Sequence, residues 1–517
     1  MLDWSDILIL HKRRFIMNKT FEKLQAYLDK AYAYRTALTM LSWDNSTAAP
    51  KEAIDFTAKA MGILSGEYYN TIINDEIKGL LTELSKEEAQ TELSVYEKAI
   101  VKQMKKEFDD LEIIPADEYQ AYQMLLTKAA PVWEEAKNTD NYSIYAPVLE
   151  EIIAYTKKFA GYKQKEGQKL YDVLLNDFEE GFTVEILDGF FGKLRSALVP
   201  LVQQIREKKD LIKTDFLHES YDIEVQKKLS HFMAEYIGFD FNRGTIAESE
   251  HPFTTNLHNH DVRFTNHYHE NKLEDAIFSA VHEGGHALYE MGIDDAITLT
   301  PIGGGTSMGM HESQSRFYEN NIGRSREFWV PIWEKVKAFF PEQLKDVTAE
   351  EFYRAINYSH PRFIRTEADE LTYPFHVMIR YEIEKLILED KVTVEELPEL
   401  WNKMYEEYLG ITPENDVVGI LQDMHWSGGM FGYFPSYALG SAIAAQLFHH
   451  MEGVMPIRDY MKEGNLVPIR EFLKEHIHQY GGAKTSQELL KETTGEAFNP
   501  DYYIEYLTKK YTELYEL

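Results

Sequence analysis

The stretch AVHEGGHALYEMG, residues 280–292, carries two histidines four apart, the first followed directly by a glutamate. On a helix turning about 100° per residue, His282 and His286 lie about 40° apart and Glu283 falls within the same arc of roughly 100°. Two imidazoles so placed can share one metal ion while the glutamate reaches a water on it, the HEXXH arrangement of a metal-dependent peptidase. Gly284 and Gly285 sharpen this reading. Each costs about 1 kcal/mol against alanine inside a helix, so a helix that keeps both uses the room they leave for the close approach of backbone or ligand. The competing reading is an acidic, solvent-facing helix that carries two histidines without a ligand.

A closed structural zinc site takes four protein ligands, whereas a catalytic one keeps a position open for water, so the pair needs one further ligand. Glu312 in MHESQ is the candidate: it opens a predicted helix 26 residues after His286, behind the glycine-rich loop PIGGGTSMGM at 301–310, which can turn it back over the histidines. His311 beside it is the rival, yet about 100° of helical rotation separates the two and only one can face the ion. Two histidines and a carboxylate suit zinc, and also accept cobalt or manganese. Such a site hydrolyses peptide bonds, with the ion supplying Lewis acidity and Glu283 taking a proton from water and delivering it to the leaving amine. The oxyanion formed on the way needs a hydrogen-bond donor. Tyr433, Tyr437 and His425, in HWSGGMFGYFPSY at 425–437, are the candidates, against a plain core role for an aromatic cluster.

Helices must position these groups. From Phe21 to about Phe241, apolar residues recur at spacings of three and four, with breaks at Pro115, Pro131 and Gly181. HDVRFTNHY at 260–268 alternates as a half-buried strand does, with Val262 and Phe264 on one face and Arg263, Thr265 and His267 on the other. Asn271 and Glu274 form a capping-box pattern for the helix behind it, and Gly292 is placed to cap its end. HESQSRFYENNIG reads as another helix, ending near Gly323, and helices then run to the C-terminus except at 425–437. Five histidines fall between 251 and 269, but their spacing follows neither a helical pair nor strand alternation throughout, so no second metal is expected there. No linker or repeat divides the chain.

Composition narrows the functional classes. The 517 residues are 44% hydrophobic and 13% aromatic with a mean hydropathy of −0.41, as in a soluble globular protein. No apolar run of about 18 residues exists, so no membrane span is expected. A net charge of −32 argues against nucleic acid, which needs clustered Lys and Arg. Cysteine is absent, which excludes disulfides, thiol nucleophiles and thiolate metal ligands. The opening MLDWSDILILHKRRFIMNKT places its apolar run before its basic cluster, the reverse of a secretory signal, so a cytoplasmic protein is expected. Met17 begins an amphipathic pattern through Phe21, Leu24 and Leu28, which leaves 1–16 as an N-terminal extension.

With these residues in view, the sequence resembles the carboxypeptidase Taq family of metallocarboxypeptidases. The likeness rests on separated motifs in order: HPF at 251, DVRFT at 261, HEGGH at 282, HESQ at 311, IRTEAD at 364 and GILQDMHW at 419. WDNSTAAP at 43 is a further feature, with Ala49 where a bulkier residue is expected. The resemblance implies a mainly α, large helical zincin-type fold with a deep active-site cleft and a small β-sheet beside the metal-binding helix. One domain, 17–517, would comprise a helical lobe (17–242), a catalytic core (243–440) and C-terminal helices completing the cleft (441–517). It implies a homodimer that removes C-terminal residues from short peptides with broad specificity. His282, His286 and Glu312 would bind zinc and Glu283 would be the general base. HPF, DVRFT and GILQDMHW would narrow the far end of the groove. Direction requires a group for the substrate's free carboxylate, and in so acidic a chain that group is an arginine. Arg365 of IRTEAD is the first candidate and Arg263 the second, with Tyr437 beside them, while a salt bridge to Glu367 or Asp369 is the structural alternative for Arg365. An endo-oligopeptidase with the same metal chemistry but no carboxylate clamp is the rival function. A non-catalytic peptide-binding protein is the rival from another class, and the intact Glu283 argues against it.

Overall fold

A computed structural model of the protein describes residues 18–517, which are mainly helical (69%) with one three-stranded sheet. The N-terminal extension and Met17 lie outside the described residues. Among the described residues, no helix is long and apolar enough to cross a membrane.

Helix α1 (Lys19–Thr47) starts where the side chain of Asn18 accepts the Thr20 N–H, and it buries the stripe Phe21, Leu24 and Leu28. Pro115 is the N-cap of the helix Ala116–Asn138, and Gly181, at φ 87°, turns the chain between α2 (Leu170–Phe178) and the helix Val184–Glu207. Pro131 does not break the chain as its residue type led us to expect: it sits inside Ala116–Asn138. Both Pro131 and Thr127, whose carbonyl loses its helical donor there, are exposed, so that carbonyl is not left unpaired in a dry interior.

Two large apolar cores flank the metal-binding candidates. One joins Leu187, Phe190 and Leu194 to Phe375 and Ile379 of α6 (Tyr373–Leu388) and to Tyr511 of α8 (Asp501–Tyr515). The other joins Leu229 and Met233 of α3 (Ile223–Ile237) to Ile277 and Val281 of α4 (Leu273–Gly292). Helix α7 (Pro435–Val454) is apolar nearly all round and belongs to both, giving Leu439 and Ala442 to the first core and Ile443 and Leu447 to the second. Between α4 and α7 runs α5 (Met308–Arg316), which begins at the N-cap Ser307, one turn before the predicted start at Glu312. A π-helical turn, Phe317–Gly323, continues it to the predicted end.

The sheet lies against α4. Its order is β1 (Gly244–Glu248), β3 (Asp261–Asn266), β2 (Thr254–His258), with β3 parallel to β1 and antiparallel to β2. Val262 and Phe264 turn inward onto Ala287 and Met291 of α4, as alternation predicts. Thr265, expected on the outer face, is fully buried because β3 is the central strand, and its hydroxyl accepts the Phe253 N–H and pairs with Ser249. The predicted capping box at Asn271 does not form. Helix α4 begins two residues later, where the core takes up Leu273, and its N-cap Lys272 makes no side-chain bond. Gly292 is the last helical residue rather than the cap, and a Cβ there would stand 2.5 Å from His478.

Candidate metal and catalytic site

His282 and His286 lie one turn apart on α4, and Glu312 lies in the second turn of α5. The glycine doublet explains how the helices meet. A Cβ on Gly285 would stand 2.7 Å from the Ser315 Cα and 2.8 Å from the Gln314 carbonyl, so α5 runs directly against the α4 backbone. Gly440 gives α7 the same closeness to the other side of α5, where a Cβ would meet Glu312 Cγ at 2.5 Å. At Gly284 the neighbour is only the Ile237 side chain. Both glycines therefore serve helix packing: Gly285 admits α5, which carries Glu312 to the histidines, and Gly284 admits Ile237 of α3.

Ligand atoms of His282, His286 and Glu312 all lie within 4.8 Å of one another. Glu312 Oε2 is 3.8 Å from His282 Nε2 and 3.6 Å from His286 Nε2. With bonds of about 2.0–2.1 Å, the edges of a tetrahedral zinc site are roughly 3.3–3.4 Å, so the cluster stands close to the spacing such an ion needs. Each candidate ligand is also held through its other polar atom. His282 Nδ1 meets Glu319 Oε2 at 2.8 Å, and His286 Nδ1 meets His311 Nδ1 at 2.5 Å, with His311 Nε2 2.6 Å from Glu290 Oε1. Glu312 Oε1 accepts from Arg316 Nε at 2.7 Å, and Arg316 Nη1 donates to Glu319 Oε2 at 2.9 Å. Partners of this kind fix the ring orientation and tautomer of a ligand. Glu312, and not its neighbour His311, thus faces both Nε2 atoms.

Protonation follows the same geometry. Burial, aided by His311 and His282, pushes His286 down to about 3 against the pull of Glu312. Burial opposes ionisation of Glu312, yet Arg316 and the two histidines hold it well below the usual carboxylate range. A neutral imidazole and an ionised carboxylate are the forms that bind a metal. At His282 burial favours the neutral ring, but Glu312 and Glu319 outweigh it and raise the pKa, so positive charge is favoured where a cation would sit. Glu283, on the same helix, accepts the Thr254 hydroxyl at 2.6 Å, and burial raises its pKa against the lowering effect of His282. The His282 and His286 side chains keep 19% and 16% exposure, which leaves the cluster reachable from outside.

The glycine-rich segment supplies an aromatic wall. Tyr433 and Tyr437 meet edge to face at 5.2 Å, and His425 Nε2 lies 3.2 Å from the Tyr437 hydroxyl. Burial is the main cause of the raised pKa of both tyrosines, and Glu312 lies near enough to raise each further. Burial pushes His425 down to about 4, against Asp423 and with help from Arg365 and Arg380, so its ring is neutral at pH 7. The Tyr433 hydroxyl reaches the weak acceptor Met308 Sδ at 3.9 Å.

Arg365 is buried beside this wall. Its Nε and Nη2 donate to Asp423 Oδ1 at 3.1 and 2.9 Å, its Nη1 donates to the Tyr373 hydroxyl at 3.0 Å, and its guanidinium lies 4.7 Å from the Tyr437 ring centroid. Its ion partner is therefore Asp423, and neither Glu367 nor Asp369: Glu367 faces Lys272, and Asp369 bonds Thr372. Arg380 pairs with the other oxygen of Asp423, at 2.6 Å. Arg263 donates from Nε and Nη2, one edge of its fork, to the two oxygens of Asp261 at 2.7 and 2.8 Å, and lies 5.8 Å from the Trp43 ring. The motifs thus gather in two groups: WDNSTAAP, HPF and DVRFT meet at the sheet, where Trp43 packs on Phe253, and IRTEAD meets GILQDMHW through Arg365, Gln422 and Asp423.

Sequence reasoning passed over Glu319, Arg316, Glu290, Thr254, Tyr373 and Asp423. Three of these carried a local signal: Arg316 and Glu319 follow Glu312 by four and seven residues, and Glu290 follows His286 by four on α4. The other three approach from distant segments.

Comparison with known proteins agrees with this chemistry. The family model described as carboxypeptidase Taq (M32) metallopeptidase matches residues 23–511. The chain is similar to carboxypeptidase 1 of Bacillus subtilis (strain 168), 45% identical over 485 residues, covering 94% of this chain and 96% of that one. It is also similar to thermostable carboxypeptidase 1 of Pyrococcus furiosus, 35% identical over 497 residues that cover 96% and 99% of the two chains. Among solved structures, the M32 carboxypeptidase from Deinococcus radiodurans R1 matches with a TM-score of 0.93 at 34% identity, over 97% of this chain and 100% of that one.

Proposed function

We propose a mechanism from one premise: the chain belongs to the carboxypeptidase Taq (M32) metallopeptidase family and is a metallocarboxypeptidase. In this reading His282, His286 and Glu312 hold zinc, and the enzyme removes C-terminal residues from short peptides with broad specificity. The observation that carries it is the convergence of the two Nε2 atoms on Glu312 Oε2, with Glu319, His311 and Arg316 holding the opposite atoms. A donor set of two imidazole nitrogens and one carboxylate, on histidines that keep some exposure to solvent, fits catalytic zinc. Bound there, the ion would supply Lewis acidity toward the scissile carbonyl and an acidified water.

The chain's own residues do the rest. Glu283 takes a proton from the attacking water and passes it to the departing amine, and its raised pKa suits both transfers. Thr254 holds one oxygen of that carboxylate and leaves the other to move the proton. Tyr433 donates to the developing oxyanion, with Tyr437 and His425 supporting it from behind. Arg365 receives the substrate's terminal carboxylate. Two guanidinium groups share the single carboxylate of Asp423, which leaves one positive charge over in a chain whose net charge is −32. A second copy of the chain is the proposed partner, tested by light scattering, and the cytoplasm the proposed compartment.

The test is mass analysis of products from a mixed peptide set, with free and blocked C-termini, with and without chelator. Loss of single C-terminal residues from the free peptides, abolished by chelator and restored by zinc, is the expected result. Internal cleavage of blocked peptides, or turnover that survives chelation, would overturn the reading.

A further inference from the structure

The segment 425–434 brings His425 and Tyr433 to the site, and one carboxylate holds it from behind. Glu384 of α6 is fully buried. Its Oε1 accepts the Trp426 indole N–H at 2.7 Å, and its Oε2 accepts the Gly432 backbone N–H at 2.8 Å and the Tyr171 hydroxyl at 2.6 Å. Trp426 directly follows His425, and Gly432 directly precedes Tyr433, so both points of attachment adjoin a residue of the site. Between them Trp426 stacks on Phe431, with the rings 10° from parallel. Gly432 stands at φ 90°, and a Cβ there would lie 2.9 Å from the Leu174 backbone of α2, so the segment is closed in on that side too.

We infer that Glu384 is a positioning residue of the carboxypeptidase reaction, which fixes the reach of Tyr433 by clamping the segment at Trp426 and Gly432. The inference rests on the reading of Tyr433 as the oxyanion donor. Among the described residues, no hydrogen bond of Glu384 goes to His282, His286 or Glu312. Its chemistry requires a carboxylate, because three donors converge on two oxygens, and a neutral acid or an amide would turn a proton of its own toward one of them. The charged and titratable groups facing Glu384 are Tyr171 from α2 and Arg380 from its own helix, whose ion partner is Asp423; His425 adjoins Trp426 in the clamped segment. Burial pushes Glu384 up to about 7 against the lowering effect of its three donors and Arg380, so the clamp should slacken as pH falls through neutrality.

The experiment compares Glu384→Gln, Tyr433→Phe and the double variant in the zinc-loaded enzyme, together with the indole ¹⁵N–H signal of Trp426, assigned by its loss in Trp426→Phe. In Glu384→Gln, metal content and KM should stay near wild type while kcat falls on the order of tenfold or more, a part of the ~10²- to 10³-fold that an oxyanion donor supplies. In the Tyr433→Phe background the same change should cost little further, because the two act as one unit. The Trp426 signal should titrate near pH 7 in wild type and be flat in Glu384→Gln. A folded Glu384→Gln with native kcat, a loss that adds fully to that of Tyr433→Phe, or a Trp426 signal indifferent to pH in wild type would each overturn the inference. If Glu384→Gln does not fold, the wild-type titration and the kcat of Trp426→Phe, which removes one of the three bonds, decide it. A native kcat in Tyr433→Phe sinks the oxyanion reading itself, whatever the Trp426 signal does.

Discussion

Replacing Gly285 with alanine sets two effects of known size against each other. Helix propensity alone makes the change favourable by about 1 kcal/mol, since Gly285 lies inside α4. Packing opposes it. The new Cβ would stand 2.7 Å from the Ser315 Cα and 2.8 Å from the Gln314 oxygen, both backbone atoms of α5. Carbon contacts settle at about 3.5–4.0 Å, so α5 must retreat by roughly 1 Å. Overpacking of this kind costs about 1–3 kcal/mol and outweighs the propensity gain. Because Glu312 rides on α5, the same retreat draws its carboxylate away from His282 and His286. Gly284→Ala is the control. Its Cβ would meet the terminal Cδ1 of Ile237 at 2.6 Å, a side-chain end that can rotate aside, so there the propensity gain nearly cancels the strain. Thermal unfolding of the metal-free proteins and zinc affinity by chelator competition should separate the neighbours. Gly285→Ala should be less stable than wild type and bind zinc about 10- to 100-fold more weakly, the usual scale for disturbing a ligand's supports, with Gly284→Ala near wild type in both. A Gly285→Ala protein that is more stable than wild type and binds zinc unchanged would refute the packing argument, and with it the account of how α5 delivers Glu312.

Glu319→Gln weakens the acceptor that holds His282 Nδ1, and zinc affinity by competition should fall about 10- to 100-fold. Glu312→Ala should lose the metal outright, and full occupancy there would unseat it as a ligand. Arg365→Ala should cost about 10- to 150-fold in kcat/KM on a free-acid dipeptide, the scale of a charged hydrogen bond, and should erase the preference over the corresponding amide. A preference that persists would leave Arg365 as the ion-pair partner of Asp423 alone. Stability should also reveal the strain at Glu384. Its pKa is raised from 4.5 to about 7 in the fold, so the native state binds the proton more tightly and this group's contribution is lost as pH rises through that window. Relative to wild type, metal-free Glu384→Gln should therefore gain by up to about 3 kcal/mol between pH 4.5 and 8, measured by denaturant unfolding, and a pH-independent difference would contradict the shift.

The parts of the site that one helix can build were legible in the sequence. The 3.6-residue period alone places His282, Glu283 and His286 on one arc, and it separates Glu312 from His311 by enough rotation that they take different tasks. Alternation likewise foretold β3, and the absence of cysteine left only histidines and carboxylates as metal ligands. Where burial competes with a local rule, the rule gave way: the core took Leu273 and moved the start of α4 past Asn271, and central placement in the sheet buried Thr265. Partners far apart in sequence were decided only by the tertiary structure. Asp423 pairs with Arg365 from 58 residues away, Thr254 meets Glu283 from 29, and Tyr171 reaches Glu384 from 213. The reason is physical: a helical or strand period fixes directions within one element, whereas which charge meets which depends on how several elements pack, and that is set by the summed fit of apolar faces such as those of α4, α5 and α7. The glycines show both sides of this. Their cost within a helix announced that something comes close to 284 and 285, and only the packed fold shows that it is a side chain at the first and a neighbouring backbone at the second.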